Sequence, residues 1–464
     1  MRRTLVLTIA IGLALVVSMS TFGVLVLAGA GKSGGLLQPE TVAKDYVQDS
    51  PIADADWTVI VYLDGDNNLE SSALQDLAEM EKIGSKSGVN VVVLMDTLTL
   101  TEGTHWYYVG QDTEHVNLTE GTNHCDCETI TGEACPGELN MADGATLTYC
   151  IETAAAFAPA ENYMLVLWDH GGGWYGVCWD DSAALIENSG KTDRLSVDET
   201  GKAIAAAEVE LDVIAFDACF SGAVEFAYEL KDLADYMAAS ITTVPGAGYA
   251  YDNLLAGMTE DSTMDAYEVS RLVADTYVQW YAKCPGSGIG GYPYVEMSVI
   301  DLSYIEALVT GDGGIGDLAE ALIPLLEDES YRGLIESAES MTPQIQFSGE
   351  QFPFIDIGLY AAALGENIPE LSELTEKLLA HVQDAVPYLN FVATATDAPM
   401  KTCGISLYFT CCWNSAVAEY GYETYEEAEA AGALPYYGLD LVIDTDWEDF
   451  LEAFVMSQAE VDAG

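Results

Sequence analysis

In the stretch Leu211–Lys231, five of the first six residues are apolar or aromatic, and only Asp212 interrupts them. So apolar a run reads as a strand buried on both faces of a parallel sheet, which commits the chain to an α/β layout. The run ends on Asp217-Ala218-Cys219. Ser221 and Gly222 follow as helix-start residues, with Val224, Ala227 and Leu230 at helical spacing. This predicts a helix directly after the cysteine. The Cys219 sulfur would then lie at the carboxyl edge of an open sheet, where ligands gather, beside a helix amino terminus that favours thiolate over thiol. Cys219 is the candidate nucleophile. The competing reading is a small apolar residue closing a strand–helix turn.

A second stretch has the same layout. Asn162–Trp168 (NYMLVLW) is another apolar strand, and it runs into Asp169-His170-Gly171-Gly172-Gly173-Trp174. A histidine at a strand tip with glycines behind it can be approached closely by a substrate backbone and can serve as a general base. About 50 residues separate His170 from Cys219, room for one crossover between neighbouring parallel strands. The two residues are expected to form a cysteine–histidine dyad.

These motifs resemble the clostripain-like cysteine peptidases, relatives of the caspases, gingipains and legumains. The resemblance is carried by Trp168-Asp169-His170-Gly171, by Asp217-Ala218-Cys219 with Ser221-Gly222, and by Trp57–Glu70 (WTVIVYLDGDNNLE) as first strand and loop. It implies a caspase-like, mostly parallel sheet flanked by helices over 57–300, with an α+β addition over 301–464 packed on the core. It also implies an oxyanion site at the amides of Gly171 and Cys219, and Asp217 lining the pocket for the residue before the cleaved bond. As a purely local alternative, Asp217 would cap the following helix. Members cleaving after Arg or Lys carry an acid in a stretch resembling Val244–Tyr251; here Ala250 stands between two tyrosines and the nearest acid is Asp252. Cleavage after Arg or Lys is the expectation, with Asp217 and Asp252 as substrate-binding residues. Self-cleavage between the dyad partners would fall after Lys191 or Arg194, in a polar stretch (181–194) that also reads as a plain solvated loop. Asp169 points away from His170 in an extended register and is not expected to be a third catalytic member.

Residues 1–31 begin Met1-Arg2-Arg3 and continue as an apolar run, read either as a signal peptide or as a membrane anchor, with 32–56 as a tether or short pro-segment. Both readings place the catalytic part outside the cytoplasm, with the membrane touched only through that segment. Asp and Glu number 76 against 15 Lys and Arg, a net charge of −61, spread along the chain. This excludes nucleic acid as a natural partner and points to a saline setting, since molar salt shrinks the Debye length to about 3 Å. The partners are expected to be proteins or peptides. No cofactor is required for the chemistry. Asp64, Asp66, Asn68 and Glu70 alternate like calcium ligands, with helix capping as the other explanation.

Ten cysteines suit an exported protein. Cys125, Cys127, Cys135 and Cys150 suggest local disulfides, or a metal site with His124 in a metal-binding surface protein. A further alternative function is an inactive caspase-like binding module anchored at the cell surface. Asn117-Leu118-Thr119 is a glycosylation sequon.

Overall fold

The computed structural model describes residues 50–99, 103–111, 125–182, 193–283, 294–342, 346–347, 350–351, 353–393, 402–409 and 435–463. The leader segment, the Asn117 sequon, His124 and Lys191 lie outside them. Residues 50–56, read above as the end of a tether, already belong to the fold, with Ile52 N–H donating to Asn90 Oδ1 at 2.9 Å. Among the described residues no helix is long and apolar enough to cross a membrane.

The expected α/β architecture is present. Its strands in chain order are β1 (Ala55–Gly65), β2 (Val89–Thr97), β3 (His105–Tyr108), β4 (Ala160–Trp168), β5 (Val177–Asp180), β6 (Asp193–Leu195), β7 (Val213–Asp217), β8 (Tyr236–Ala239) and β9 (Tyr294–Asp301). They are followed by β10 (Gln346–Phe347), β11 (Glu350–Gln351), β12 (Phe354–Asp356), β13 (Tyr388–Ala393) and β14 (Ser406–Tyr408). Eight of them form one sheet in the order β13-β9-β8-β7-β4-β1-β2-β3. The five from β8 to β2 run parallel; β3 and β9 run antiparallel to them, and β13, antiparallel to β9, runs in their direction again.

Helices cover both faces of this sheet, so the middles of its central strands are apolar on both sides rather than alternately. Ile60, Tyr62, Leu165, Leu167, Ile214 and Phe216 enter one core. Val59, Val61, Val91, Met164, Val166 and Ala215 enter the other. A strand slipped by one residue would exchange the two cores, and the bulky residues on each side oppose that exchange. Strand β3 pairs antiparallel with β2.

The residues after 301 are woven into this scaffold. β13 hydrogen-bonds to β9 as the last strand of the sheet, and β12 pairs with β14 beside the cysteine's helix. Cys127 and Cys135 are joined by a disulfide, and Cys125 is free. This agrees with a local disulfide in that segment.

Candidate active site

β4 and β7 are parallel neighbours with Trp168 opposite Asp217. Continuing that register brings His170 level with Cys219, each two residues past its strand, at the carboxyl edge of the sheet. Gly171 locks the two segments together. A Cβ at this position would lie 2.1 Å from the Cys219 carbonyl oxygen and 2.8 Å from the Cys219 nitrogen. Only glycine permits that approach. The sulfur also accepts from Val244 N–H at 3.3 Å and lies 3.6 Å from Val244 O.

The expected helix start is displaced. Phe220 adopts φ +59°, an uncommon conformation for a residue with a side chain. It is held by its N–H to Thr242 O at 2.8 Å and by stacking on Phe354, with ring centroids 6.0 Å apart. Ser221 and Gly222 then continue in non-helical backbone, and Ser406 N–H donates to Gly222 O at 2.8 Å. The helix begins only at Val224, capped by Ala223 without a side-chain hydrogen bond.

The thiolate argument from the helix amino terminus therefore falls. Burial pushes the Cys219 thiol up to about 12, and the charges of Asp217 and Asp169 push in the same direction against the lowering amides of Val244 and Gly171. Burial also lowers the His170 imidazole. Both groups rest neutral at pH 7. His170 Nε2 lies 3.0 Å from Asn68 Oδ1. An amide oxygen as partner fixes the proton on Nε2 and leaves Nδ1 with its lone pair free. Trp179 stands edge-on to the imidazole at 6.5 Å between centroids. Asp169, as the register required, faces elsewhere: its carboxylate accepts from Asn67 Nδ2 at 2.7 Å and from Trp179 N–H.

Asp217, the last residue of β7, is buried. Its Oδ2 accepts from Tyr249 N–H at 2.8 Å and from Tyr251 Oη at 3.1 Å, so it caps no helix after Cys219. Burial raises it to about 7. Asp252 is not brought to Asp217. It lies on the first turn of helix Tyr251–Glu260, and its Oδ2 pairs with Lys82 Nζ at 3.1 Å. The acid that does approach is Asp76, from helix Glu70–Ile83. Arg194 lies in β6, opposite Trp179 of β5. Its Nε donates to Tyr175 O at 2.8 Å, and its guanidinium carbon sits 3.3 Å above the Tyr175 ring.

The four residues read as a calcium loop do not converge. Asn68 turns to His170, while Glu70 accepts from Thr99 N–H at 2.7 Å and from Thr99 Oγ1 at 2.9 Å. Oxygens of Asp66, Asp96 and Glu138 instead gather within 4.8 Å of one another. The contact of Asn68 with His170 and the approach of Asp76 to Asp217 are not anticipated by the sequence reading. Asn68 carried one usable signal, its place just past the first strand's carboxyl end; Asp76 carried none.

The fold and the paired histidine and cysteine edges define a parallel-sheet α/β protein with a reactive-residue site between β4 and β7. The clostripain family model matches residues 61–452, and the chain belongs to that family. Clostripain of Hathewaya histolytica is 30% identical over 223 residues, covering 42% of this chain and 41% of that relative, so the match spans about two-fifths of the relative's length. Two solved structures share the fold. A secreted C11 cysteine protease from Bacteroides thetaiotaomicron is 20% identical, with TM-score 0.59, covering 85% of this chain and 100% of that one. An inactive zymogen C11 protease from Parabacteroides distasonis is 19% identical, with TM-score 0.56, covering 85% and 99%.

Proposed function

We propose that the chain is an exported cysteine endopeptidase in which His170 and Cys219 form the catalytic dyad. The observation that carries this reading is the contact of Gly171 with Cys219. It sets the histidine's strand end directly against the cysteine's backbone. In the reaction, His170 Nδ1 takes the thiol proton as Cys219 Sγ attacks the scissile carbonyl. The amides of Gly171 and Cys219 hold the developing oxyanion, and His170 returns the proton to the leaving amine. Asn68 supports this by holding the imidazole in the tautomer the transfer needs.

Cleavage after Arg or Lys follows from Asp217, a buried carboxylate two residues before the nucleophile. Self-maturation between the dyad partners is assigned to the bond after Lys191 in preference to Arg194. The Arg194 backbone is part of the β5–β6 pair and its side chain is already held at Tyr175. Release outside the cell follows the secreted relative and the apolar leader. Protein or peptide is the substrate class, and no metal or other cofactor enters the scheme.

The test uses the chain without residues 1–31 at high salt beside a Cys219→Ala copy, with mass spectrometry of both. New ends after Lys191 in the native copy alone are expected, together with labelling of Cys219 by an irreversible peptide reagent. A native protein whose Cys219 resists that reagent and which cleaves no peptide would overturn the peptidase reading in favour of an inactive binding module.

A further inference from the structure

Two carboxylates from distant parts of the chain meet beneath the dyad. Asp217 closes β7 two residues before Cys219, and Asp76 projects from the middle of helix Glu70–Ile83. Trp168, two residues before His170, donates its indole N–H to Asp76 Oδ2 at 2.7 Å. Gly248 sits between the acids at φ +51°, where a Cβ would lie 2.6 Å from Asp217 Oδ2 and 2.9 Å from Asp76 Oδ2. Asp76 is 0% exposed and Asp217 3%. Each nevertheless keeps one oxygen, Oδ1, buried and without any hydrogen-bond partner.

Two adjacent buried carboxyls, each with an unused oxygen, cannot both carry charge unrelieved; a proton retained by one of them relieves the empty pair, and a cation between them would satisfy both unused oxygens. The nearby lysine does not. Lys82 Nζ is held by Asp252 at 3.1 Å and Glu79 at 3.5 Å. The segment over the acids runs directly from the reactive sulfur. Val244 contacts Sγ with its N–H, and Tyr249 contacts Asp217 with its own. At Gly246 in the same turn, a Cβ would meet nothing nearer than Ser72 Oγ at 3.8 Å. The cover is thus tight at Gly248, directly over the acids, and has room for a side chain only at Gly246.

We propose that Asp76 is a second specificity-determining acid of this enzyme, acting with Asp217 to bind the guanidinium or ammonium of the residue before the scissile bond. This rests on the peptidase reading above and adds to it a residue from the first helix, at a site where Ala250 supplies no charge. A guanidinium has five N–H donors, enough to satisfy both Oδ1 atoms while forking onto either carboxylate. Trp168 holds Asp76 in place, so histidine strand and specificity acid are coupled through one side chain.

The test compares native protein with Asp76→Asn, Asp217→Asn and Asp252→Asn on peptides differing only in Arg, Lys or Leu before the cleaved bond. Asparagine keeps an acceptor for Trp168 and preserves size. The Asp76→Asn variant is expected to lose roughly 10- to 100-fold in kcat/KM on Arg and Lys peptides, the worth of one charge-assisted contact, so that the ratio of Arg to Leu cleavage falls by that factor. Equal losses on Arg and Leu would show a structural role and overturn the proposal. So would an Arg preference that survives Asp76→Asn but disappears in Asp252→Asn. A readout independent of turnover uses agmatine, a small guanidinium compound, in thermal melts. It is expected to raise the Tm of native and Cys219→Ala protein but not of Asp76→Asn. Absence of that shift in native protein overturns the proposal even if peptides are cleaved. A shift dependent on Asp76 without peptide cleavage would instead sink the peptidase reading and leave the cation pocket standing.

Discussion

Gly171→Ala offers the sharpest test of the site geometry. The added methyl would sit 2.1 Å from Cys219 O and 2.8 Å from Cys219 N, whereas ordinary contact starts at 3.4 Å. Both obstructing atoms are backbone, so no rotamer change relieves the clash. The β4 and β7 ends must separate by about 1 Å, a misplacement that costs on the order of 100-fold at a reacting centre. The accompanying overpacking costs about 1–3 kcal/mol of stability. Gly316→Ala is the control: it lies inside helix Ile315–Leu322, its Cβ would meet nothing nearer than 3.5 Å, and it is expected to stabilise by about 0.5–1 kcal/mol. Peptide turnover and thermal melts of both variants separate the effects. If Gly171→Ala keeps kcat/KM within about threefold of native while remaining folded, the proposed contact between Gly171 and the nucleophile is wrong.

Four other outcomes can be checked. Burial raises Asp217, Glu225 and Glu296 to about 7 and Asp96 to about 8, from 3.8 for Asp and 4.5 for Glu. The unfolded chain releases these protons first as pH rises, so this contribution is fully present below about pH 4 and is lost through pH 7–8. Denaturant melts should therefore show lower stability at pH 8 than at pH 5, by on the order of a few kcal/mol; a flat profile would mean that these carboxyls ionise freely. With a net charge of −61, Tm should rise between about 0.1 M and 1 M sodium chloride, as the Debye length falls from about 10 Å to 3 Å. Asn68→Ala should lower kcat more than it raises KM, because the imidazole loses its tautomer partner; a pure KM effect would assign Asn68 to substrate binding. EDTA should leave activity intact, whereas loss restored by calcium would assign a cation to Asp66, Asp96 and Glu138.

The central strands were legible because burial on both faces writes an unbroken apolar run, and the candidate dyad because two such runs end in rare chemistry. What followed Cys219 was less legible. Ser221 and Gly222 look like a helix start, yet their backbone is claimed by β14, a partner that local spacing cannot reveal. Asp76 looks like any acid on an amphipathic helix until Trp168 and Gly248 are folded against it. Asp252 was the nearest acid in sequence, but its carboxylate is paired with Lys82. β13 reads as a strand, while its place at the sheet edge depends on β9, from which long helical segments separate it.

The turn that presents Cys219 leans on residues made much later. Ser406 lies 184 positions beyond the Gly222 it bonds, and Tyr436 lies 211 beyond Glu225. A ribosome working from the amino end therefore releases His170 and Cys219 well before the pieces that clasp them. An unfinished chain holds both reacting groups without their frame. A chain stopped before Ser406 lacks the strand that bonds Gly222, and on the peptidase reading proposed above it is expected to be inert.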